Sequence, residues 1–198
     1  EFIPNKPAKQ IFHKTIDEVL QYVPEGNFYF GVCPRSKKSG KAENIDMITT
    51  LWVDIDAKVQ TKEEILERLK QFKYPPSSII DSGNGIHAYW LLKNPEKTRE
   101  NTKGVLKGLA KVLNGDLNCH DLPRILRVPG SFNLKDQTNP KEVKIISLNP
   151  ELRYELSGFD HLYVPINECK AGDVVFSEEI KAIDLNKLRL SRYTKALI

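Results

Sequence analysis

Two aspartates at i and i+2 inside an apolar run are the residues of this chain best suited to chemistry: Asp54 and Asp56, in Thr49-Thr50-Leu51-Trp52-Val53-Asp54-Ile55-Asp56-Ala57. The run reads as a β-strand. Strand side chains alternate, so Leu51, Val53, Ile55 and Ala57 share an apolar face while Trp52, Asp54 and Asp56 share the other. Same-face neighbours lie roughly 6.5 Å apart along the backbone, near enough for both carboxylates to reach one hard cation. The competing reading is an acid pair at a fraying strand end, solvated or capping the next helix.

Two further segments carry complementary chemistry. Ser82-Gly83-Asn84-Gly85-Ile86-His87 adds a hydroxyl and an imidazole to a glycine-rich turn. Backbone N–H groups there, with Ser82, can cradle phosphate oxygens while His87 donates to another. A tight hairpin would use the same Asn-Gly turn without needing either side chain. Farther along, Asp121 precedes a strand bearing Arg124 and Arg127, followed by a Pro-Gly turn and Lys135. Asp121 would complete the cation site, with Asp116 as its rival, and Arg127, Lys135 and Arg124 would neutralise a triphosphate. Charge on a short apolar strand otherwise marks a half-exposed edge.

These segments must be positioned by regular elements, and the patterning predicts them. A short helix over 15–23 and an aromatic-rich strand over 27–33 come first. Thr61-Lys62-Glu63-Glu64 is a capping box, after which Ile65, Leu66, Leu69 and Phe72 mark one helix face that Pro75-Pro76 ends. A strand over 78–82, the Asn84-Gly85 turn and a returning strand over 86–92 follow. A second helix over 98–113 ends before Gly115, and strands are expected at 124–128 and 143–148. From residue 49 to 128 the order is strand, helix, strand, strand, helix, strand, the split βαβ arrangement, with helices on one sheet face and the other face open. Alternation puts His87, Tyr89 and Leu91 on that open face, beside Asp54 and Asp56.

With 198 residues, 40% hydrophobic, the chain is long enough for a core of its own. Thirty Lys and Arg against 26 acids give +4, which permits a polyanionic partner without demanding one. Cys33, Cys119 and Cys169 are an odd count without CxxC spacing, so neither a disulfide framework nor a zinc knuckle is predicted, and a reducing, cytoplasmic setting is expected. No apolar run approaches eighteen residues and no signal peptide is visible, so neither a membrane nor secretion is expected.

Taken together, the three polar segments resemble motifs I, II and III of the archaeo-eukaryotic primase (AEP) superfamily. There a DxD or DxE pair ends a strand, an SxH-type motif follows on a hairpin, and a further acid leads into an arginine-bearing strand. In this chain these are Asp54 and Asp56, then Ser82 and His87 at wider spacing, then Asp121. Residues 124–135 are similar to the RxLRxPGxxNxK stretch of the plasmid RepB-like primase and primase-polymerase (PrimPol) branches, and 29–35 to the lead-in to motif I, so the resemblance spans about 27–135.

The resemblance implies an α/β (α+β) AEP-type catalytic domain with an RRM-like split βαβ core. N-terminal α/β elements (1–48) would precede the catalytic core (49–135) and a C-terminal extension (136–198), all in a single domain. The activity implied is template-directed nucleotidyl transfer from NTP or dNTP, with two Mg²⁺ or Mn²⁺ ions held by Asp54, Asp56 and Asp121. Ser82, Gly83, His87, Arg124, Arg127 and Lys135 would bind the nucleotide. Single-stranded template and primer-template are the implied partners, and Arg35, Lys37 and Lys38 would track template phosphates unless that loop is merely solvated. Residues 188–198 mix apolar and basic residues at helical spacing, and the expectation is a piece of a longer protein whose other regions meet replication, mobile-element or defence-associated proteins.

Two other readings are built on the same sheet. A non-catalytic single-stranded nucleic-acid-binding module would stack bases on Trp52 and Tyr89. A rolling-circle replication endonuclease would need an HxH pair, which none of His13, His87, His120 and His161 forms.

Overall fold

The computed structural model describes residues 1–166 apart from 4–6, 23–24 and 98; the helix expected over 188–198 lies outside the described residues. In chain order the elements are α1 (Ile16–Leu20), β1 (Tyr29–Gly31), β2 (Ile48–Asp56), α2 (Lys62–Gln71), β3 (Ser78–Asp81), β4 (Gly85–Glu96), α3 (Arg99–Val112), β5 (Ile125–Arg127), β6 (Phe132–Asn133), β7 (Lys141–Glu142), β8 (Lys144–Leu148) and β9 (Arg153–Tyr154). Short 3-10 helices occupy Ala42–Asn44 and Leu156–Leu162.

The central sheet runs β2-β4-β3-β8, antiparallel throughout, with β9 alongside β4 in parallel. Its back face is apolar because alternation sends Leu51, Val53 and Ile55 of β2 and Ile86, Ala88 and Trp90 of β4 the same way, and all are fully buried. Ile65 and Leu69 of α2 and Val105, Leu106 and Leu109 of α3 join them in one core. Each such side chain contributes about 1.5–3 kcal/mol, an upper figure because the unfolded chain is itself partly collapsed.

Helix α2 is held at its start as the sequence leads one to expect, whereas the left-handed residue after α3 is Asn114 and not Gly115. Thr61 and Glu64 form a reciprocal capping box at the start of α2, with Glu64 N–H donating to Thr61 Oγ1 (3.2 Å) and Thr61 N–H to Glu64 Oε2 (2.7 Å). Arg68 of α2 donates to the Leu113 carbonyl (3.0 Å), satisfying an acceptor at the end of α3. On the outer side of α3, Gly104 and Gly108 leave a notch for residues 162–164: a Cβ on Gly108 would stand 1.7 Å from the Leu162 carbonyl oxygen, and Val164 N–H donates to Gly104 O (3.1 Å). Phe159 closes the back of the sheet, its ring 4.7 Å from that of Tyr74 and 6.5 Å from that of Trp90.

The front face departs from the sequence expectation. The order strand, helix, strand, strand, helix, strand is present, but the last strand, β5, does not join the sheet; it pairs antiparallel with β1, Tyr29 opposite Arg127 and Gly31 opposite Ile125. The chain leaving α3 turns along the free edge of β2, where Asp116 N–H donates to the Asp54 carbonyl (2.8 Å), and then lies over the face. Trp52 donates its indole N–H to the Cys119 carbonyl (2.9 Å), and Phe30 of β1 packs its ring 6.3 Å from that of Tyr89. A buried indole N–H must find an acceptor, and the covering loop supplies it. The front is therefore a roofed face rather than an open one. Among the described residues no helix is long and apolar enough to cross a membrane.

Candidate active site

Between the front of β2 and β4 and the β5–β7 segment lies a cleft of about 1080 Å³. Asp54 and Asp56 of β2 and His87 of β4 line it, as do Ser82, Gly83, Arg124, Arg127 and Lys135. The two strands place Asp54 directly opposite His87, and Asp56 opposite Gly85. Glycine is required at 85 because a Cβ there would lie 2.2 Å from the Ile55 carbonyl oxygen.

Asp54 is half-buried and Asp56 exposed, the latter bonded by Lys58 Nζ at 2.8 Å. Burial pushes the Asp54 carboxyl up to about 6, helped by the nearby charges of Asp116 and Asp56 and opposed by Arg124 and Arg127. Gly115 allows the approach of Asp116, since a Cβ at 115 would fall 2.5 Å from Val53 Cγ2. Two acids whose charges act on a third, in an oxygen-only donor set, suit a hard divalent cation, whose charge would offset that repulsion. Among the described residues no group of three metal-ligating side chains is already gathered about one point.

Asp121 lies elsewhere. Neither it nor Asp116 is on the cleft wall, but Asp121 is ion-paired with Arg124, and its charge acts on Arg35 and Cys119 and not on Asp54, on which that of Asp116 does act. Of the two acids weighed in the sequence, Asp116 is the one beside Asp54.

His87 is buried, and burial first, then Arg127, lowers its imidazole to about 4, so the ring is neutral at pH 7. Its Nε2 stands 3.6 Å from Asp54 Oδ1, too long for a hydrogen bond and, with a neutral ring, no ion pair. Nδ1 has no partner, and neither does the hydroxyl of Tyr89, whose own pKa burial raises. Trp52 and Tyr89 are 0% and 8% exposed, so neither offers the stacking platform that a base-binding sheet requires.

The Ser82–Gly85 turn is built differently from an Asn-Gly hairpin. Gly83, at φ +89°, takes the left-handed position, while Asn84 does not. Ser82 N–H donates to Gly85 O (2.9 Å) and Gly83 N–H to Asp81 Oδ1 (2.8 Å), so these two donors are committed within the loop. Ser82 is buried, and its carbonyl accepts from Asn133 Nδ2 (2.9 Å).

Cationic side chains line the opposite wall. Arg127 donates to Asn27 Oδ1 (2.7 Å) and lies 4.7 Å over the Tyr29 ring, which fixes its guanidinium at the cleft. Arg124 donates to Asn118 O (2.6 Å). Arg35 is no part of an exposed loop: half-buried, it donates to Pro123 O (3.0 Å) and props the turn before β5, whereas Lys37 and Lys38 are exposed. Residues missed in the sequence are Asn27, which holds both Arg127 and Leu134 N–H, and Tyr29, Lys62, Asn133 and Lys141 on the cleft wall. Asn133 stands in the RxLRxPGxxNxK stretch and could have been found there; Lys62 at the first position of α2 and Lys141 in the two-residue β7 give no periodic signal.

Residues 33–155 match the model of the RepB DNA-primase N-terminal domain family. The chain is 32% identical over 123 residues to a replication protein of Clostridium perfringens, covering 57% of this chain and 30% of that protein. It is 25% identical over 195 residues to an uncharacterised protein of Methanocaldococcus jannaschii, covering 85% of this chain and 14% of the other. The chain thus spans under a third of the length of either relative. In fold it is similar to the AEP domain of the primase-polymerase of cyanophage S-2L, with TM-score 0.54 and 17% identity over 70% of each chain.

Proposed function

Because the chain belongs to the RepB DNA-primase N-terminal domain family, we propose that it carries the primase-polymerase active site and performs template-directed nucleotidyl transfer. In that reaction a 3′ hydroxyl attacks the α-phosphate of an incoming NTP or dNTP and pyrophosphate leaves. The observation that carries the reading is the sharing of one cleft by the Asp54–Asp56 pair, a neutral His87 directly across from Asp54, and the fixed guanidinium of Arg127. Acids alone would repel a triphosphate; acids facing cations and a neutral donor suit one that arrives with metal.

Two Mg²⁺ or Mn²⁺ ions, when bound, would compensate charge on the attacking and leaving oxygens. Asp54 and Asp56 are their proposed ligands, and the third carboxylate is Asp116 in preference to Asp121, because Asp116 borders Asp54 while Asp121 is engaged by Arg124. Arg127 and Lys135 hold the β- and γ-phosphates, with Arg124 behind them, and His87 orients the phosphate nearest Asp54 as a neutral donor. Ser82 and Gly83 shape the wall, their N–H groups being committed within the loop. Lys37 and Lys38 remain the proposed contacts to single-stranded template. Two buried free thiols, Cys33 and Cys119, agree with a reducing, cytoplasmic setting.

The test is incubation with single-stranded DNA template, labelled nucleotides and Mn²⁺, with and without an annealed primer. Products longer than the primer, or new strands without it, are the expected result. DNA binding with no incorporation under either condition would overturn the assignment.

A further inference from the structure

The turn between β3 and β4 is clamped from both sides, and the two clamps differ in charge. On one side Lys62, the first residue of α2, bonds both oxygens of Asp81 at 2.7 Å, while Asp81 also takes Gly83 N–H. Lys62 is therefore neutralised where it stands. On the other side, Lys141 of β7 lies opposite Asn133, whose amide holds Ser82 O. The Lys141 ammonium donates to Asn84 Oδ1 at 2.7 Å, a neutral acceptor, so at the cleft rim its charge is in no direct ion pair and is offset only through space by Asp136 on the same wall. Contact through the stem is close enough that a Cβ on Gly83 would be 2.9 Å from Lys141 Cβ.

Position along the wall gives this charge a use. Asp56 pairs with Gly85, Asn84 is the turn residue just before Gly85, and Lys141 is bonded to Asn84, so the lysine stands at the turn end of the wall, past Asp54 and Asp56. With Ser82 and Gly83 N–H committed, side chains are the charged donors this end of the wall offers to anionic oxygens lying beyond the acids. We propose that Lys141 binds the terminal phosphate of the incoming nucleoside triphosphate and selects triphosphates over di- and monophosphates, an inference that rests on the nucleotidyl-transfer reading above. A compact ammonium suits a terminal phosphate, which presents three oxygens from any side.

The test is displacement of a fluorescent nucleoside triphosphate from the full chain in Mg²⁺ by adenosine tri-, di- and monophosphates, in the ribose and deoxyribose series. Lys141→Met keeps the stem that packs on Gly83 and removes the charge. It should weaken triphosphate binding by about tenfold, as expected for one charge-assisted hydrogen bond, and change di- and monophosphate binding less than twofold. Lys141→Arg should restore the preference. Lys144→Met, on the neighbouring strand where Lys144 pairs with Glu142 at 3.0 Å, should change nothing. Equal triphosphate affinity in wild type and K141M would overturn the inference, as would equal losses for all three phosphates. Loss of single-stranded DNA affinity with nucleotide binding intact would reassign the lysine to the nucleic-acid backbone. If the wild type displaces no nucleotide at all, the nucleotidyl-transfer reading fails first and takes this one with it.

Discussion

The two faces of β2 and β4 are made by alternate residues of the same strands, and they have opposite characters. On the back, Leu51, Val53, Ile55, Ile86, Ala88 and Trp90 are fully buried, and the one polar atom of the set, Trp90 Nε1, donates to Tyr74 O at 2.7 Å. On the front, His87 Nδ1 and Tyr89 OH are buried without partners, and Arg35 Nη1 and Arg124 Nε in the covering segments are likewise without hydrogen-bond partners, while the buried Asp121 Oδ1 has only its ion pair with Arg124. Among the described residues no other buried side-chain nitrogen or oxygen lacks a hydrogen-bond partner. The difference teaches where the molecule accepts a cost in stability: one face is finished as a core, and the other buries polar groups that no protein atom hydrogen-bonds, as ligand sites do.

The comparison is broken most severely at the acids. Asp54→Ala with Asp56→Ala should reduce nucleotide incorporation by about 10³-fold or more while the melting temperature stays level or rises, because the crowded charges are relieved. A folded double mutant that still synthesises would end the catalytic assignment of the front face. The converse change is Leu109→Ala, which should cost about 2–5 kcal/mol in denaturant unfolding yet leave triphosphate affinity intact well below the transition. Coupled losses of stability and affinity would mean that the faces are not independent.

Arg127→Ala should weaken incoming-nucleotide binding by about tenfold or more and barely alter single-strand affinity; His87→Ala should act in the same direction with a smaller effect. A gel shift showing template lost and nucleotide retained would exchange the proposed roles. Titration sharpens the contrast further. The folded pKa of Asp54, about 6, lies above its ordinary 3.8, so without divalent metal its ionisation should lower stability progressively from about pH 4 to about pH 6 and add nothing beyond. Asp54→Asn should remove that limb of the pH–stability curve; an unchanged curve would show that the carboxyl is not perturbed. His87, at about 4, should stay neutral throughout pH 5–8, which ring-proton NMR reads directly. The smallest effect is expected from Tyr89→Phe, which deletes a buried hydroxyl with no partner and should leave stability equal or up to about 1 kcal/mol higher by thermal melting.

Much of this contrast was legible in the sequence because it rests on a local rule. Alternation alone put Asp54, Asp56 and His87 on one face and the core on the other, and the helices of 61–72 and 98–113 were visible from their apolar spacing and capping box. What could not be read depends on distant pairing. β5 pairs with β1 nearly a hundred residues earlier, and no periodicity in Ile125-Leu126-Arg127 distinguishes that partner from the edge of β2. The choice between Asp116 and Asp121 turns on Gly115 fitting against Val53, a matter of packing. Arg35 looked like part of a solvated basic loop because nothing nearby in sequence indicates that Pro123 O waits for it.

The notch that Gly104 and Gly108 cut into α3 bears on how this molecule can be shortened. The segment common to the family, 33–155, stops before Phe159, Leu162 and Tyr163, which fill that notch and cover Trp90, and starts after Asn27 and Tyr29, which steady Arg127. A recombinant piece trimmed to the shared segment would carry an uncovered apolar patch at its back and a loosened guanidinium at its front. The recognisable unit and the foldable unit are thus different lengths of chain, and expression boundaries belong outside residues 27 and 164.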